Sequence, residues 1–264
     1  YEIMPSLVGS EMCIRDRGTT DDQLLSKNYK LNKDIDLEGV RFEPIGSLEH
    51  PFTGKFYGEK HSIKNLTIEK DKNSKGVGFF GAIKGSVVKD LNIENANVKG
   101  GSVIGVLVGE AQVDASAGKN NLIAHCKVSG VVESKGERFI KVADAGGLVG
   151  AAQEVTDPNT YDYATTTIFD AHADVKVTAD TGANDKATSG HVGGLVGHNK
   201  GKIIDSSSKG DVIGGNTTGG LVGYNDGSVR GSSATGNVKG AFNVGGFLGG
   251  SGPCLLYTSP SPRD

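Results

Sequence analysis

A short apolar motif framed by glycine recurs along the chain and limits the possible folds more than any other sequence feature. The motif reads GFFG, GVLVG, GGLVG, GGLVG, GGLVG and GGFLG, and its closing glycines are Gly81, Gly109, Gly150, Gly197, Gly223 and Gly249. Two long intervals, from Gly109 to Gly150 and from Gly150 to Gly197, separate shorter intervals of nearly equal length. A base period of about 26 residues, lengthened twice by inserted loops, is typical of a stacked repeat protein.

Each period divides into three short extended segments. The Gly193–Gly197 motif forms the first segment and is followed by a turn at residues 199–201. A strand near residues 203–208, a glycine corner at Gly210 and a strand at Val212 complete the period. Asn and Gly at the turns favour a backbone with positive φ, which we expect there. Aligned periods also place one small residue in a common column, at Cys126, Ala171, Ser206 and Ser232, so Cys126 is predicted to be interior.

Strands of three to five residues cannot bury a core alone, but copies stacked in parallel can. Coils spaced about 4.8 Å apart bury a continuous interior of Val, Ile, Leu and Phe. We therefore predict an all-β fold, a parallel β-helix or β-solenoid with about three short strands per coil of about 26 residues. Right-handed crossovers are the norm between parallel strands, and little helix is expected because no segment after Lys30 carries a helical apolar stripe.

The chain divides into four expected segments. Residues 1–17 and 253–264 resemble translated sequencing adapter, because a nucleotide string that encodes Leu7–Asp16 has a reverse complement that encodes Cys254–Arg263. Residues 18–70 alternate apolar and polar and are predicted to form opening strands and N-terminal coils. Residues 71–252 are predicted to form the repeat solenoid, with inserts near 133–144, 151–165 and 179–190. The chain would then be a fragment of a longer protein.

Composition argues against two classes of partner. The chain has 28 Lys and Arg against 31 Asp and Glu, a net charge of −3, which offers no basic patch for nucleic acid or an anionic membrane. No stretch reaches the roughly 18 apolar residues of a membrane span. Glycine contributes 41 of 264 residues, more than twice the usual ~7%, without the three-residue period of collagen. Glycine here marks the turns between short strands.

The glycine-framed cores followed by an Asn-x-Gly turn resemble the GLUG motif, a short repeat of bacterial surface and secreted proteins. The segment from Tyr29 to Ile93, with its Asp34-Ile35-Asp36-Leu37 and Gly78-Phe79-Phe80-Gly81 elements, is similar to what precedes such repeats. Ile104 departs from the pattern, since it replaces the first paired glycine. The resemblance implies an extracellular location, in adhesin-like proteins or N-terminal to immunoglobulin-A-cleaving metallopeptidases. Host or cell-surface glycans and proteins are the partners it implies.

We predict no catalytic, cofactor-binding or metal site from the sequence. Asp34 and Asp36 share one strand face, but alternation with apolar residues is typical of any strand with a wet outer face. The other acidic and basic candidates fall in different columns: Asp205, Asp211 and Asp226, and Arg41, Arg138 and Arg230. The histidines form neither HExxH nor another zinc spacing: His50, His61, His125, His172, His191 and His198. One extended strand between His191 and His198 would place them about 20 Å apart.

Three functions remain open at this point. The leading hypothesis is a non-catalytic extracellular segment that serves as a stalk, a presentation module or an adhesion module. A polysaccharide-active β-helix enzyme, similar to pectate lyases, would instead need Asp, Glu and Arg clustered across coils. The chain could also be the accessory repeat region of a secreted metallopeptidase. An adhesin would use the inserts Glu133–Asp144 and Ala151–Gly190, where Tyr161 and Tyr163 are the best exposed aromatic pair for carbohydrate.

Overall fold

The repeat period of the sequence becomes one coil of a parallel β-solenoid. The computed structural model describes residues 22–135, 144–179 and 190–252. Within these ranges the chain forms one helix of four residues, α1 (Asp22–Leu25), and thirty strands in four sheets, named A to D. From β3 to β30 the chain visits the sheets in the order A, B, D, C. No helix in the described part of the chain has the length and hydropathy to cross a membrane.

The strands of each sheet are as follows. Sheet A holds β1 (Tyr29–Lys30), β3 (Lys55–Tyr57), β8 (Val87–Lys89), β12 (Asn121–Ala124), β16 (Glu154–Thr156), β17 (Tyr163–Phe169), β21 (Lys202–Ile204) and β26 (Ser228–Arg230). Sheet B holds β2 (Ile35–Asp36), β4 (Ser62–Lys64), β5 (Thr67–Glu69), β9 (Asn92–Gly100), β13 (Lys127–Ser134), β18 (His172–Ala179), β22 (Ser207–Ser208), β23 (Val212–Ile213), β27 (Ser233–Ala234) and β28 (Val238–Lys239). Sheet C holds β7 (Phe80–Lys84), β11 (Val108–Gln112), β15 (Val149–Ala152), β20 (Val196–Asn199), β25 (Val222–Asn225) and β30 (Leu248–Ser251). Sheet D holds β6 (Lys75–Val77), β10 (Ser102–Ile104), β14 (Asp144–Gly146), β19 (His191–Gly193), β24 (Thr217–Gly219) and β29 (Asn243–Gly245).

The pairing register of sheet C reproduces the periods read from the sequence. Successive partners are Phe80, Val108, Val149, Val196, Val222 and Leu248, all paired in parallel. Each of these residues directly precedes a closing glycine of the motif, so the intervals between partners equal those between the glycines. Every copy of the motif therefore occupies the same place in its coil, which confirms the predicted stacked, parallel all-β fold.

The prediction of three strands per coil was wrong, because the glycine-framed motif is a corner and not a strand. Strand β24 ends at Gly219 and β25 begins at Val222, so the residues between them turn the chain from sheet D to sheet C. A Cβ on Gly220 would lie 2.0 Å from the carbonyl oxygen of Gly246 in the next coil. Leu221 is fully buried at the same corner. Glycine is required here because two backbones approach closely, and one coil crosses four sheets.

Positive φ occurs in the column of the Gly210 corner, at Gly130 (136°) and Gly236 (141°), but not at the turn of residues 199–201, where it was also expected. Asn199 and Asn225 are buried at the turn after sheet C, where the Asn199 amide Nδ2 donates to Asn225 Oδ1 at 2.6 Å and the Asn225 amide to the Gly227 carbonyl at 3.0 Å. They therefore satisfy buried backbone groups of the turn. A further column of left-handed backbone lies at the corner between sheets A and B. Its members, with φ between 46° and 60°, are Asp90, His125, Asp170, Asp205 and Gly231.

Aromatic side chains fill the first coils, and aliphatic side chains fill the later ones. Tyr29 pairs with Phe56, and Phe56 with Val88, so the opening strands continue into the repeat stack. Phe56 also packs edge-on against Phe79 and Phe80, with ring centroids 5.7 and 5.5 Å apart. Such edge-to-face pairs add stability beyond the area they bury. The interior is therefore one continuous column along the axis.

Extra residues are accommodated at the turns between strands. The insert near 151–165 was predicted as a polar loop, but it forms an antiparallel hairpin in which β16 pairs with β17. A second excursion, closed by a bridge between Asp114 and Lys119, was not predicted. The inserts near 133–144 and 179–190 fall mostly on residues 136–143 and 180–189, outside the described residues. So do the presumed adapter segments 1–17 and 253–264, and Arg138.

Cys126 lies in the interior, as its column predicts. Its side chain is fully buried, and Sγ lies 3.3 Å from the Ala124 carbonyl oxygen. Burial raises the pKa of the thiol to about 12. Ser206 holds the same column two coils later, directly before β22, just as Cys126 lies directly before β13. Its hydroxyl makes the equivalent hydrogen bond, to the Ile204 carbonyl oxygen at 2.8 Å.

We expect Cys126 to resist iodoacetamide in the folded chain and to react once the chain unfolds, because the thiolate is the nucleophile. Cys13 and Cys254 are replaced by Ser so that mass spectrometry reports Cys126 alone. Cys126→Ser in the same background is the control, and it should fold normally because serine already occupies this column. Equal labelling rates in buffer and in denaturant would contradict an interior thiol.

Candidate functional site

The outer face of sheet B carries a shallow groove of about 310 Å³ that runs across successive coils. Two columns of polar side chains line it: Asn92, Lys127, His172 and Ser207 in the first, and Glu94, Ser129, Asp174 and Lys209 in the second. Ladder pairing positions the first column, because Lys127 pairs with Asn92 and His172, and His172 pairs with Ser207. The buried side chains of Ile93, Val128 and Ala173 lie between the columns.

The charges of the groove are balanced. Lys127 and Lys209 offset the charges of Glu94 and Asp174, and Asn92, Ser129 and Ser207 add uncharged hydrogen-bonding groups. Glu94 already accepts a hydrogen bond from the Ser62 hydroxyl at 2.6 Å. Such a surface suits a polar, uncharged ligand that binds through hydrogen bonds. A linear ligand would lie along the columns, across the coils. Sequence reasoning missed it because its residues are far apart in the chain, across inserts of unequal length.

One end of the groove holds a chain of hydrogen bonds from serine to histidine to aspartate. The Ser207 hydroxyl lies 2.8 Å from His172 Nδ1, and His172 Nε2 lies 3.0 Å from Asp170 Oδ1. His125 approaches the other carboxylate oxygen of Asp170 at 2.8 Å. The hydrogen bond from His125, followed by that from His172, holds the pKa of Asp170 below its ordinary value.

This serine–histidine–aspartate order matches that of acyl-transfer sites, but the surrounding backbone does not. Acyl transfer also needs free N–H donors where the oxyanion develops. The N–H of Ser207 donates to the Ala171 carbonyl at 3.0 Å, and the N–H of Lys209 donates to Ala173 at 2.9 Å. Both donors are therefore committed to the ladder. The arrangement fixes the left-handed corner at Asp170 and orients His172 toward the groove.

The carboxylate pair at Asp34 and Asp36 is divided between separate partners. Asp34 Oδ1 accepts from the Ser62 backbone N–H at 3.0 Å, and Asp36 Oδ1 accepts from the Asn65 amide at 2.8 Å. The hydrogen bond from Ser62 is the main cause that lowers the pKa of Asp34. The hydrogen bond from Asn65 is the main cause that lowers the pKa of Asp36. Each carboxylate therefore stabilises a neighbouring coil.

The other candidates from the sequence are spread over the surface. Asp205 lies in the left-handed column, and Asp211 accepts from the Asn237 backbone at 2.9 Å. Arg41 forms an isolated bridge with Thr67, and Arg230 ends β26. The two tyrosines occupy different settings. Tyr161 is 82% exposed at the hairpin turn, whereas the Tyr163 hydroxyl donates to Glu154 and its ring lies 5.5 Å from Lys202 Nζ.

The structure brings His191 and His198 together, against the separation expected for one extended strand. The corner at Gly194 and Leu195 places them on adjacent strands, β19 and β20, and their ring centroids are 4.8 Å apart. Asp144 of the preceding coil pairs with His191, and its Oδ1 lies 2.8 Å from His191 Nδ1. The sequence could not reveal this cluster unless the motif was first identified as a corner.

Comparisons with known proteins agree with this architecture. The GLUG motif matches at residues 188–213 and 214–239, which are consecutive units of equal length. A solved structure described as "a putative immunoglobulin A1 protease from Bacteroides ovatus" superposes with a TM-score of 0.63 at 22% identity, covering 84% of this chain and 64% of that chain. Halomucin from Haloquadratum walsbyi is 28% identical over 141 residues, which are 48% of this chain and 1% of that protein.

The chain therefore spans less than two thirds of the solved structure and a very small part of halomucin. At 22% identity, the likeness to the Bacteroides structure establishes the fold alone. The sequence match and the pairing register agree on the repeat, since His191 of the first unit pairs with Thr217 of the second and Ile213 pairs with Lys239. The chain thus carries GLUG motif repeats, built as consecutive coils of a parallel β-solenoid.

Proposed function

We propose that this chain is a non-catalytic β-solenoid segment of an extracellular or cell-surface bacterial protein, where it acts as a stalk that presents other parts of a longer chain. The observation that carries this proposal is the unbroken parallel ladder of four sheets, in which each coil supports the next. Such a stack has a fixed cross-section and a length set by the number of coils. The candidate carboxylates are bonded to separate backbone and side-chain partners, as a structural role requires.

The groove on sheet B favours adhesion as a second function of the same segment. Its balanced charges and repeated hydrogen-bonding columns suit a polar, uncharged glycan. The columns run across the coils, so a linear ligand would contact successive polar groups about 4.8 Å apart. Part of halomucin is similar to this chain in sequence and the Bacteroides structure is similar in fold, and the accessory region of a secreted protease is one setting for such a stalk.

The test incubates the purified full chain with a panel of neutral and acidic polysaccharides and with immunoglobulin A1. We expect no new reducing ends, no unsaturated sugar products and no cleavage fragments. Binding without turnover, measured by calorimetry and weakened by Lys127→Ala and Asp174→Ala, would assign the adhesive role to the groove. Lys30→Ala, an exposed position on β1 of sheet A, is the matched control.

Turnover that disappears in His172→Gln or Asp170→Asn would overturn the non-catalytic proposal. Those two substitutions remove the hydrogen-bonded chain at the end of the groove without removing its lysine and acidic side chains. Asparagine also tolerates the left-handed backbone at residue 170, so loss of activity in that variant would report chemistry and not misfolding. Circular dichroism of both variants checks the fold.

A further inference from the structure

We infer that Asp144, His191 and His198 form a binding site for a divalent transition metal ion, for which Zn²⁺ is the best fit, and that the ion links two consecutive coils. This goes beyond the stalk proposal, because it assigns a ligand to the corner between sheets D and C. Asp144 lies on β14, His191 on β19 of the next coil and His198 on β20 across the corner.

The donor set and its spacing suit zinc. One ligand atom from each residue can be chosen so that all three lie within 4.8 Å of one another. Asp144 Oδ2 is 3.9 Å from His198 Nδ1, and Asp144 Oδ1 is 2.8 Å from His191 Nδ1. Zinc–nitrogen bonds of about 2.0–2.1 Å in a tetrahedron place ligand atoms about 3.3 Å apart. The ligand atoms therefore lie close to the spacing that a bound zinc ion requires.

The three ligands are held in a shielded position. Side-chain exposure is 9% for Asp144, 18% for His191 and 16% for His198. Gly197 permits this approach, because a Cβ there would lie 2.6 Å from the backbone nitrogen of Ala145. The Tyr224 ring stacks on His191 with centroids 4.9 Å apart and covers the site from the following coil. Imidazole and carboxylate ligands in such a setting favour zinc over calcium or magnesium.

A second carboxylate orients one of the ligands. Asp226 Oδ2 lies 2.9 Å from His198 Nε2, which leaves Nδ1 of the same ring directed toward Asp144. Histidines that bind metal commonly donate their other ring N–H to a carboxylate, which fixes the ring and raises its basicity. Burial first and the negative charge of Asp144 in addition raise the pKa of Glu110. A cation bound by Asp144 would offset the charge of that carboxylate.

The test titrates the full chain, with Cys13 and Cys254 replaced by Ser and any purification tag removed, with Zn²⁺ in competition with a chelating dye. We expect one zinc ion per chain, and Tm should rise by about 5–10 °C at zinc 100-fold above Kd. Co²⁺ in place of zinc should give the visible absorption bands of a tetrahedral site. His191→Gln and His198→Gln should each weaken binding at least tenfold, and Asp226→Asn should weaken it by about 10- to 100-fold.

The matched control is His125→Gln, which alters another histidine–aspartate pair of the surface and should bind zinc as the parent does. Two outcomes would overturn the assignment: no zinc uptake by the parent chain, or unchanged uptake in the double variant His191→Gln/His198→Gln. Thermal unfolding of every variant without metal distinguishes loss of the ligand from loss of the fold. Failure of zinc binding would leave the stalk proposal intact, because that proposal is tested by turnover.

Discussion

Gly220→Ala should lower the free energy of unfolding by about 3–5 kcal/mol, above the roughly 1–3 kcal/mol that overpacking typically costs. The new Cβ would lie 2.0 Å from the Gly246 carbonyl oxygen, and that oxygen belongs to a backbone that cannot rotate away. The coils must therefore separate at this corner, and the ladder hydrogen bonds beside it weaken. Gly246→Ala is the matched control, because it occupies the same column and its Cβ would meet no described atom within 4 Å.

Urea and thermal unfolding of the two variants measure the difference. We expect Tm of Gly220→Ala to fall by about 10 °C or more, since 1 kcal/mol corresponds to roughly 2–4 °C in a chain of this size. Gly246→Ala should be neutral or slightly stabilising, because alanine reduces the freedom of the unfolded chain. Equal midpoints for the two variants would show that close backbone approach does not explain the glycine. Hydrogen exchange should find the largest loss of protection in β24, β25 and β30.

Deletion of residues 197–222, which is one complete coil, should leave a folded solenoid shortened by about 4.8 Å. The deletion joins Val196 to Gly223, and because Val196 and Val222 are paired, every later residue keeps its column. Asn225 then takes the interior position of Asn199, and Tyr224 replaces His198. The melting temperature should change by only a few degrees, since each coil contributes similar interface energy.

Deletion of residues 197–223 is the matched control and removes one residue more. It shifts every following strand by one position, which turns interior side chains outward and exposed ones inward. We expect residues beyond 196 to lose protection from hydrogen exchange and the unfolding transition to broaden. Small-angle scattering measures the length of both variants. Similar folding of the two deletions would contradict a fixed register between coils.

The interior of this fold could be predicted from the sequence because it depends on short, repeated intervals. Val196 and Val222 share a column that is revealed by counting one period along the chain. Cys126 could likewise be placed inside, since its neighbours in the column are alanine and serine. The period holds these residues in register whatever the exact path of the chain within one coil.

The corners and the outer surface could not be predicted in the same way. Glycine permits both extended and tightly turned backbone, so the motif at Gly193–Gly197 gave no sign that it joins two sheets. The predicted distance between His191 and His198 was wrong because the motif turns a corner between them. The left-handed residues His125 and Asp170 are of types that tolerate positive φ, but the inserts give their column an irregular spacing in the sequence. A site on the outer face is formed by residues near several such corners. Inserts of different length separate those residues in the sequence.

Each coil pairs only with the coils directly before and after it, and this has a mechanical consequence. Pulled apart by its two ends, a stack of this kind opens coil by coil, because each coil is held chiefly by its immediate neighbours. Each coil of about 26 residues would release about 90 Å of chain at about 3.3–3.6 Å per residue. The two coils with inserts, which begin in sheet C at β11 and β15, would release correspondingly more. A stack of coils built in this way extends in steps under load, and each step dissipates mechanical energy before the next coil opens.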